Sequence, residues 1–380
     1  MMHDEFPLDE TLIYLNHAAV SVWPRRTARA VHAFADENMH RGAVDYPGWL
    51  RVERELRGRL RSLLHAGSVD DIALLKNTSE GLSLVAYGLD WQRGDNIVST
   101  NQEFPSNRIV WESLADRGVA LRCADVSGDD PEEAIMALVD EHTRLMAVSS
   151  VQYGSGLRLD IKRLGKFCRA HGILFCVDAI QSLGAIRFDA LACCADIVVA
   201  DGHKWMMGPE GLAVFHTTPA VRDQLRLVQY GWHMVEHAGD FERRDWMPSA
   251  SARRFEPGSP NMLGIHALNA SLSLLLEEGM EAVEADVLAR ARQVMELTQA
   301  AKGMELLTPS EEGRFAGIVT FRCRGLNAAG HAVLYRQLMK EGVICAHRGG
   351  GIRFSPHYYT DPDAIERAWR MVVRLVSGLC

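Results

Sequence analysis

Residues 173–178 read ILFCVD, a short apolar run that follows Gly172 and ends in the carboxylate of Asp178. A similar run, DIVVA at residues 196–200, leads directly to Lys204. Short apolar runs of this kind are typical of strands that are buried on both faces of a parallel sheet. Ligands of open α/β sheets bind outside the carboxyl ends of the strands, so we expect Asp178 and Lys204 to reach the same crevice.

The surrounding sequence predicts an α/β fold. From residue 97 to residue 217, strand-like runs alternate with helical ones, which is the pattern of a mostly parallel sheet covered on both faces. The predicted elements include a strand at 145–150, a helix at 161–170 that Asp160 caps, and a strand at 211–215.

The C-terminal third of the chain changes character. Residues 231–259 have no clear periodicity, and a long segment of this kind inside a compact protein is usually functional or part of an interface. A helical pattern with one apolar face follows at residues 264–301. Beyond it, strands predicted at 317–321 and 352–355 and a helix at 331–340 indicate a smaller α+β domain.

Lys204 and Asp178 carry the two groups that pyridoxal 5'-phosphate needs in an enzyme. An amine holds the cofactor as a Schiff base, and a carboxylate keeps the pyridine nitrogen protonated so that the ring accepts electrons. The ordinary alternative is a surface lysine after a strand and an aspartate that caps a helix. The position of both residues at the ends of strand patterns favours the cofactor site.

Four motifs extend this interpretation to most of the chain. They are YLNHAA (14–19), DAIQ (178–181), GHK (202–204) and RFEPGSPN (254–261), in that order. From about Tyr14 to the C-terminus, the chain resembles the class V aminotransferase family of fold-type I pyridoxal-phosphate enzymes. This family includes cysteine desulfurases, isopenicillin N epimerase-like proteins and sulfur-releasing lyases. The resemblance implies a large domain with a mostly parallel sheet and a smaller α+β C-terminal domain.

The same resemblance predicts a chain in three parts. We expect an N-terminal segment that packs near the active site (residues 1–20), a large cofactor-binding domain (21–258) and a small C-terminal domain (259–380).

The cofactor phosphate is expected at the start of a predicted helix, in the segment NTSEG at residues 77–81. A helix N-terminus offers free N–H groups to an anion, and the hydroxyls of Thr78 and Ser79 add donors. The alternative is a capping box in which Thr or Ser caps the helix and Glu80 reaches back. The resemblance favours phosphate binding, and it implies that His203 donates to the same phosphate.

The resemblance also predicts contacts with the cofactor ring. Gln181 matches a residue that contacts the ring hydroxyl oxygen, and Phe104 stands where the family often has a histidine stacked on the ring. Phenylalanine can stack but cannot transfer a proton. For Phe104 the alternative is core packing, and for Gln181 and His203 it is a satisfied polar side chain in a loop.

Arg353 lies where the family has the arginine that binds the substrate carboxylate. A guanidinium can bind a carboxylate through two parallel hydrogen bonds, which fixes the orientation of the substrate. Asn16 and His17 of the first motif are further candidates for substrate binding, and His347 and Arg348 are weaker ones. The alternative for Arg353 is a surface arginine on an edge strand.

Two departures from the family limit these expectations. Cysteine desulfurases carry their nucleophilic cysteine on a mobile loop before the arginine, whereas Cys345 is predicted to lie in a strand. Met262 stands where many relatives have a threonine that reaches the phosphate of the partner subunit. Ser259 or Asn261 would have to replace that contact.

The leading hypothesis is a homodimer with its active site at the subunit interface. It would use pyridoxal phosphate and act on a small-molecule amino acid, either by transamination or by β-elimination as in a C–S lyase. The alternatives within the family are a cysteine desulfurase, a selenocysteine lyase or an amino-acid epimerase. A cofactor-binding sensor without catalysis is the alternative from another class. A nicotinamide-dependent enzyme is rejected because this sequence lacks the GxGxxG turn that such an enzyme needs.

Composition excludes several other classes. The net charge of −8 argues against nucleic-acid binding, which needs a clustered basic surface. No apolar run is long enough to span a bilayer, and the acidic start MMHDEF is unlike a signal peptide, so we predict no membrane association and a cytoplasmic location. The eight cysteines form no CxxC pair or zinc-type cluster, so no metal is predicted.

Overall fold

A seven-stranded sheet forms the centre of the larger part of the protein in the computed structural model, which describes residues 4–379. The strands, in their spatial order, are β2 (Ile72–Leu75), β8 (Ala213–Thr217), β7 (Ile197–Asp201), β6 (Leu174–Asp178), β5 (Thr143–Ser149), β3 (Asn96–Thr100) and β4 (Ala120–Ala124).

The sheet is mostly parallel, as the sequence predicts. Strand β8 is the exception, because it runs antiparallel to both of its neighbours, β2 and β7. The other four adjacent pairs are parallel. Lys204 therefore lies in the connection between β7 and the reversed strand β8. The strand predicted at 211–215 begins two residues later, since Gly211 has a φ of 83° and turns the chain into β8.

Helices cover the sheet and link its strands. Those that belong to this part are α1 (Arg25–Arg41), α2 (Tyr46–Leu64), α3 (Thr78–Gly88), α4 (Ser106–Glu112), α5 (Pro131–Met136), α6 (Ile161–His171) and α7 (Pro219–Gln224). The predicted start and caps of α6 are confirmed, and the helix ends one residue later than predicted: Asp160 accepts a hydrogen bond from the N–H of Arg163, and Gly172 ends the helix with a φ of 67°.

The predicted helix at 264–301 is in fact two helices, α8 (Met262–Glu278) and α9 (Met280–Ala300). Gly279 separates them with a φ of 82°, a backbone conformation that glycine adopts without a steric cost. The buried face of α8 packs against α1 and α2 and joins the core of the large sheet. Helix α9 leads from there to the smaller part of the protein.

The smaller part is an α+β unit with its own apolar core. Its antiparallel sheet has the order β12 (Ala346–Arg348), β13 (Gly351–Phe354), β10 (Val319–Cys323) and β9 (Met304–Leu306). Helices α9, α10 (Ala328–Lys340) and α11 (Pro362–Ser377) pack on it. The predicted α+β character of the smaller part is thus confirmed. The domain boundary at residue 259 stays a prediction.

The N-terminal segment connects the two parts. Strand β1 (Ile13–Tyr14) pairs in parallel with β11 (Val343–Ile344) of the smaller part. A few residues later, the N–H of Ser21 donates a 2.8 Å hydrogen bond to the carbonyl oxygen of His203, next to Lys204. The segment therefore runs along the cleft between the two parts. None of the helices within residues 4–379 is both long enough and apolar enough to cross a membrane.

Candidate active site

A cavity of about 240 Å³ opens at the carboxyl ends of β6 and β7, where the sequence predicts the crevice. We call it the Lys204 cavity. It is lined by Ala18, Ala19, Thr78, Phe104, Ser106, Tyr153, Asp178, Ile180, Gln181, Asp201, His203, Lys204, Arg348 and Arg353.

Lys204 and Asp178 both face this cavity and are almost completely buried, with 9% and 3% of their surface exposed. Burial lowers the pKa of the Lys204 amine, although the charge of Asp178 acts in the opposite direction. Burial also raises the pKa of Asp178, against the effect of Lys204 and of a hydrogen bond from the Ile180 N–H. A buried amine and a buried carboxylate thus share one small space.

The start of α3 forms one wall of the cavity. Its cap is Asn77, which accepts a 2.8 Å hydrogen bond from the N–H of Glu80, so the alternative in which Thr or Ser caps this helix is wrong. The Thr78 side chain is therefore not needed as a cap, and its buried hydroxyl has no partner within residues 4–379. The more exposed hydroxyl of Ser79 donates to Ser106 at 2.9 Å.

His203 provides a second unsatisfied polar atom. Its Nδ1 is buried and has no partner in the described part of the chain. Burial and the neighbouring charge of Lys204 lower the pKa of His203 to about 4, so the imidazole is neutral at pH 7 and can donate one hydrogen bond. A helix N-terminus, a free hydroxyl and a free imidazole at one end of a cavity are the groups that bind a phosphate.

Phe104 lies over the cavity, with its ring centroid 5.5 Å from Nζ of Lys204. It packs edge-on against Tyr153, at 5.1 Å between the ring centroids. Because 42% of its surface is exposed, core packing does not account for its position. The ring is placed where it can cover a flat aromatic ligand next to Lys204.

Gln181 is buried and makes two hydrogen bonds with protein groups. Its amide nitrogen donates to the carbonyl oxygen of Ala18 at 3.0 Å, and its amide oxygen accepts from the indole N–H of Trp205 at 2.9 Å. One amide N–H remains available for a ligand. Gln181 therefore joins the N-terminal segment to the loop that carries Lys204 while it lines the cavity.

Arg353 enters the cavity from strand β13 and is 2% exposed. Its Nη1 donates to the carbonyl oxygen of Tyr153 at 2.8 Å, and its Nη2 lies 3.4 Å from Oδ1 of Asn16. Nε has no partner within residues 4–379. Burial and the charge of Arg348 lower the pKa of Arg353 to about 10, so it is still cationic at pH 7 and can bind an anion.

Five of the predicted site residues do not line the Lys204 cavity: Asn16, His17, Ser79, Ser259 and Asn261. His17 lies just outside it, and both ring nitrogens have partners: Nδ1 donates to Ser355 O at 2.8 Å, and Nε2 pairs with the Tyr359 hydroxyl at 2.7 Å. Ser259 and Asn261 lie in a separate cavity of about 390 Å³. Asn261 also caps α8 and donates to Gly211 O at 3.1 Å.

Cys345 is buried at the single residue between β11 and β12, and not within a strand as the sequence predicts. Burial raises the pKa of its thiol to about 12, so it is protonated at pH 7. Within residues 4–379, no cysteine is among the residues that line the Lys204 cavity. In the same range, no group of three or more His, Cys, Asp or Glu residues is arranged to hold a metal ion.

Sequence reasoning missed three residues of the cavity. Tyr153 follows strand β5 and Asp201 ends β7, so their positions at carboxyl ends of parallel strands were a signal that could have identified them. Asp201 accepts a 3.3 Å hydrogen bond from the N–H of Thr78 and so positions the start of α3. Ser106 begins α4, and the sequence around it contains no feature that indicates a place in the cavity.

These groups fit pyridoxal 5'-phosphate. Lys204 supplies the amine, Asp178 the carboxylate, and Phe104 the aromatic cover. The unpartnered Thr78 hydroxyl and His203 Nδ1 are suited to the phosphate.

Comparison with known proteins agrees with this fit. The family model "Aminotransferase class-V" matches residues 13–367. The chain is 28% identical to a probable cysteine desulfurase of Methanothermobacter thermautotrophicus, over 95% of this chain and 94% of that protein. It is 25% identical to a solved cysteine desulfurase from Thermococcus onnurineus NA1, with a TM-score of 0.86 and coverage of 98% and 97% of the two chains.

A third relative shares the fold. The cystine C–S lyase C-DES, solved with its reaction product cysteine persulfide, has a TM-score of 0.87 and 22% identity, and the match covers 96% of this chain and 97% of that one. Because the family match spans nearly the whole chain, the protein belongs to the class V aminotransferase family of fold-type I enzymes, and its cofactor is pyridoxal 5'-phosphate.

Proposed function

We propose that the protein is a β-eliminating enzyme that breaks the bond between Cβ and sulfur in an amino acid. The observation that carries the proposal is the Lys204 cavity, which holds a buried amine, a buried carboxylate and a buried arginine, and no cysteine among its described lining residues. When bound, the cofactor supplies an electron-withdrawing ring next to the substrate carbons.

Lys204 is the proposed catalytic residue. It binds the cofactor and, once displaced by the substrate amine, takes the proton from Cα. An amine can accept a proton only in its neutral form, and burial favours that form by lowering the pKa of Lys204. Phe104 cannot replace it in this step, because its ring has no acidic or basic group.

Asp178, Thr78, Ser79, Gln181 and His203 are the proposed cofactor-binding residues. Asp178 keeps the proton on the pyridine nitrogen. Thr78 and His203 hold the phosphate through their unpartnered atoms, Ser79 does so by turning its hydroxyl away from Ser106, and Gln181 holds the ring oxygen through its remaining amide N–H. Phe104 covers the ring face.

Arg353 is the proposed substrate-binding residue, with Asn16 as its positioning partner. If the guanidinium binds the α-carboxylate, it fixes which bond of Cα faces Lys204, and so it favours proton removal at that carbon. His17 is proposed only as support for the N-terminal segment, because both of its ring nitrogens already have partners.

Elimination is preferred over desulfuration for a structural reason. A desulfurase transfers sulfur to a thiolate of its own, whereas Cys345 is buried, protonated and outside the Lys204 cavity. The named relatives, a cysteine desulfurase and a cystine C–S lyase, both act on a C–S bond, which supports a sulfur-containing substrate.

We also propose a homodimer in the cytoplasm. Ser259 and Asn261 lie in a cavity away from Lys204, as expected if they reach the phosphate of the partner subunit. An exposed aromatic surface in the irregular segment is suited to a protein interface; it comprises Tyr230, Trp232, Phe241 and Trp246. Light scattering of the purified protein tests the dimer, and a twofold smaller mass would contradict it.

The function is tested by incubating the holoenzyme with L-cystine, L-cysteine, S-methyl-L-cysteine and L-alanine plus a keto acid. Elimination predicts pyruvate and a sulfur product from the first three substrates and no new amino acid in the fourth reaction. Amino-group transfer to the keto acid without pyruvate formation from the sulfur substrates would identify an aminotransferase instead. Sulfide that requires Cys345 and a reductant would identify a desulfurase.

A further inference from the structure

A second cavity of about 420 Å³ adjoins the Lys204 cavity. The two share Ala19, Arg348 and Arg353, so a substrate held at Arg353 can extend from one into the other. We call the second cavity the arginine cavity. No step of the proposed reaction uses it.

The arginine cavity carries a concentrated positive charge. Arg336, Arg348 and Arg353 all line it, and none of its described lining residues is acidic. This is unusual for a chain whose net charge is −8. A cavity lined by guanidinium groups and by no carboxylate attracts an anion.

Most of the lining side chains come from α10 and β12, which pack together, while β13 supplies Arg353 and the N-terminal segment supplies Asn16 and Ala19. Ala332, Tyr335 and Arg336 are three or four residues apart on α10 and therefore share one face of this helix. That face lies against β12, where His347 stacks on Tyr335 with 6.4 Å between the ring centroids. The packed faces of α10 and β12 therefore form one wall of the cavity, and Arg336 and Arg348 lie at its more exposed side.

The guanidinium groups lack the partners that arginines usually have. Within residues 4–379, none of the three forms an ion pair, and Arg348 donates only to the carbonyl oxygen of the adjacent His347, at 3.2 Å. Nε of the buried Arg353 is also unpartnered there. Like charges that face each other without a carboxylate are relieved when an anion binds between them.

His347 contributes little to this charge. Its pKa is lowered by partial burial and by the charges of His331 and Arg348, so the imidazole is neutral at pH 7. Arg353 is occupied by the α-carboxylate if the proposed function is right. Arg348 and Arg336 are then left to bind a different negative group of the same substrate.

We propose that the substrate is an amino acid whose side chain ends in a carboxylate, which binds to Arg348 and Arg336 in the arginine cavity. This inference rests on the proposed function, because it takes Arg353 as the site of the α-carboxylate. It defines the substrate class by one feature: a second anion, reached across the boundary between the two cavities.

The test compares two ligands that differ by one charge and have nearly the same shape: S-carboxymethyl-L-cysteine and its neutral amide, S-carbamoylmethyl-L-cysteine. The dissociation constant of each is read from the change in the visible spectrum of the holoenzyme, and pyruvate release is measured separately. A second pair, whose side chains are shorter by one atom, is L-glutamate and L-glutamine, and it is measured in the same way. We expect at least one acid to bind about tenfold or more tightly than its amide, as a charge-assisted hydrogen bond provides.

Arg348→Gln and Arg336→Gln should reduce this ratio towards one, and Arg348→Lys should retain part of it. The matched control is Arg54→Gln, because Arg54 is exposed on α2, outside both cavities, and its substitution should leave the ratio unchanged. A ratio near one in the parent protein for both pairs, including failure of all four ligands to bind, overturns the inference. So does a ratio that survives both glutamine substitutions.

The two proposals fail in different ways. Selective binding of the acids without pyruvate contradicts the elimination reaction and leaves the arginine cavity supported. Pyruvate formed equally well from the acid and from the amide supports the elimination reaction and contradicts the proposed role of the arginine cavity.

Discussion

Nη1 of Arg353 donates a 2.8 Å hydrogen bond to the carbonyl oxygen of Tyr153. This bond joins β13 of the smaller part to the loop after β5 of the large sheet. The guanidinium is thereby held in one orientation while its Nε remains unpartnered in the described structure. An arginine fixed in this way is prepared to bind a carboxylate with little loss of side-chain entropy.

Arg353→Lys should therefore lower kcat/KM for the amino-acid substrate by about tenfold or more, because an ammonium group cannot reproduce two parallel hydrogen bonds. The visible absorption of the bound cofactor should not change. Steady-state kinetics and a spectrum of the same preparation measure both. An unchanged kcat/KM would place the carboxylate elsewhere.

Lys204→Ala should abolish turnover and the covalent attachment of the cofactor, since it removes the amine. Attachment is measured by borohydride reduction followed by mass spectrometry of the intact chain. The control is Lys166→Ala, which changes an exposed lysine of α6 and should keep both properties. A reducible bond that persists in Lys204→Ala would mean that another lysine holds the cofactor.

Asp178→Asn should reduce kcat much more than cofactor content, because an amide fills the same space but cannot stabilise a protonated pyridine nitrogen. Its control is Asp196→Asn at the opposite end of the neighbouring strand, where Asp196 accepts a hydrogen bond from the N–H of Phe175. Cofactor content is measured from absorbance after release, and kcat from product formation. Equal kcat values for the Asp178 variant and the parent would contradict this role.

Cys345→Ala should keep most of the activity, as should Cys345→Ser, because the thiol is buried and protonated at pH 7 and lies in the wall of the arginine cavity, outside the Lys204 cavity. The serine variant should be the less stable of the two, since it buries a hydroxyl group. Activity assays and urea unfolding curves separate the two effects. Trapping of a persulfide on Cys345, together with loss of sulfide release in the variants, would return the protein to the desulfurases.

Stability should fall as the pH is lowered from about 6.5 to 4. His17 and His216 are buried, and burial lowers the pKa of each to about 4. In the unfolded chain they titrate near about 6.5. Below that pH the unfolded state takes up protons that the folded state does not, which costs up to about 1.4 kcal/mol per pH unit for each histidine.

Urea unfolding at pH 7.5 and pH 5.5 checks this dependence. His216→Gln removes one of the titrating groups, so the difference in the free energy of unfolding between the two pH values should be smaller in this variant than in the parent. An equal difference would exclude His216 as a source of the dependence.

The sequence predicted those parts of the fold in which a local pattern determines the structure. The apolar runs that become β6 and β7 are buried and parallel, and their ends bring Asp178 and Lys204 into one cavity. The direction of β8 could not be predicted, because β8 is buried along its whole length and its apolar run therefore resembles those of its parallel neighbours. Gly279 was missed for a related reason: the apolar spacing continues past the break.

The site was predicted less completely than the fold. Tyr153 and Asp201 line the cavity because they lie at or after the ends of strands, and neither residue belongs to one of the four motifs. The distance of Ser259 and Asn261 from Lys204 depends on tertiary packing that no motif encodes. The arginine cavity could not be predicted from the sequence either, since the N-terminal segment, α10, β12 and β13 supply its residues from separate parts of the chain.

The pairing of β1 with β11 has a consequence for synthesis of the protein. Ile13 pairs with Val343, which is translated 330 residues after it. Contacts so distant in sequence form late, because a long loop must close first. Ala18 and Ala19, which line the Lys204 cavity, therefore take their places late in folding, and a nascent chain cannot complete this cavity before β11 has been made.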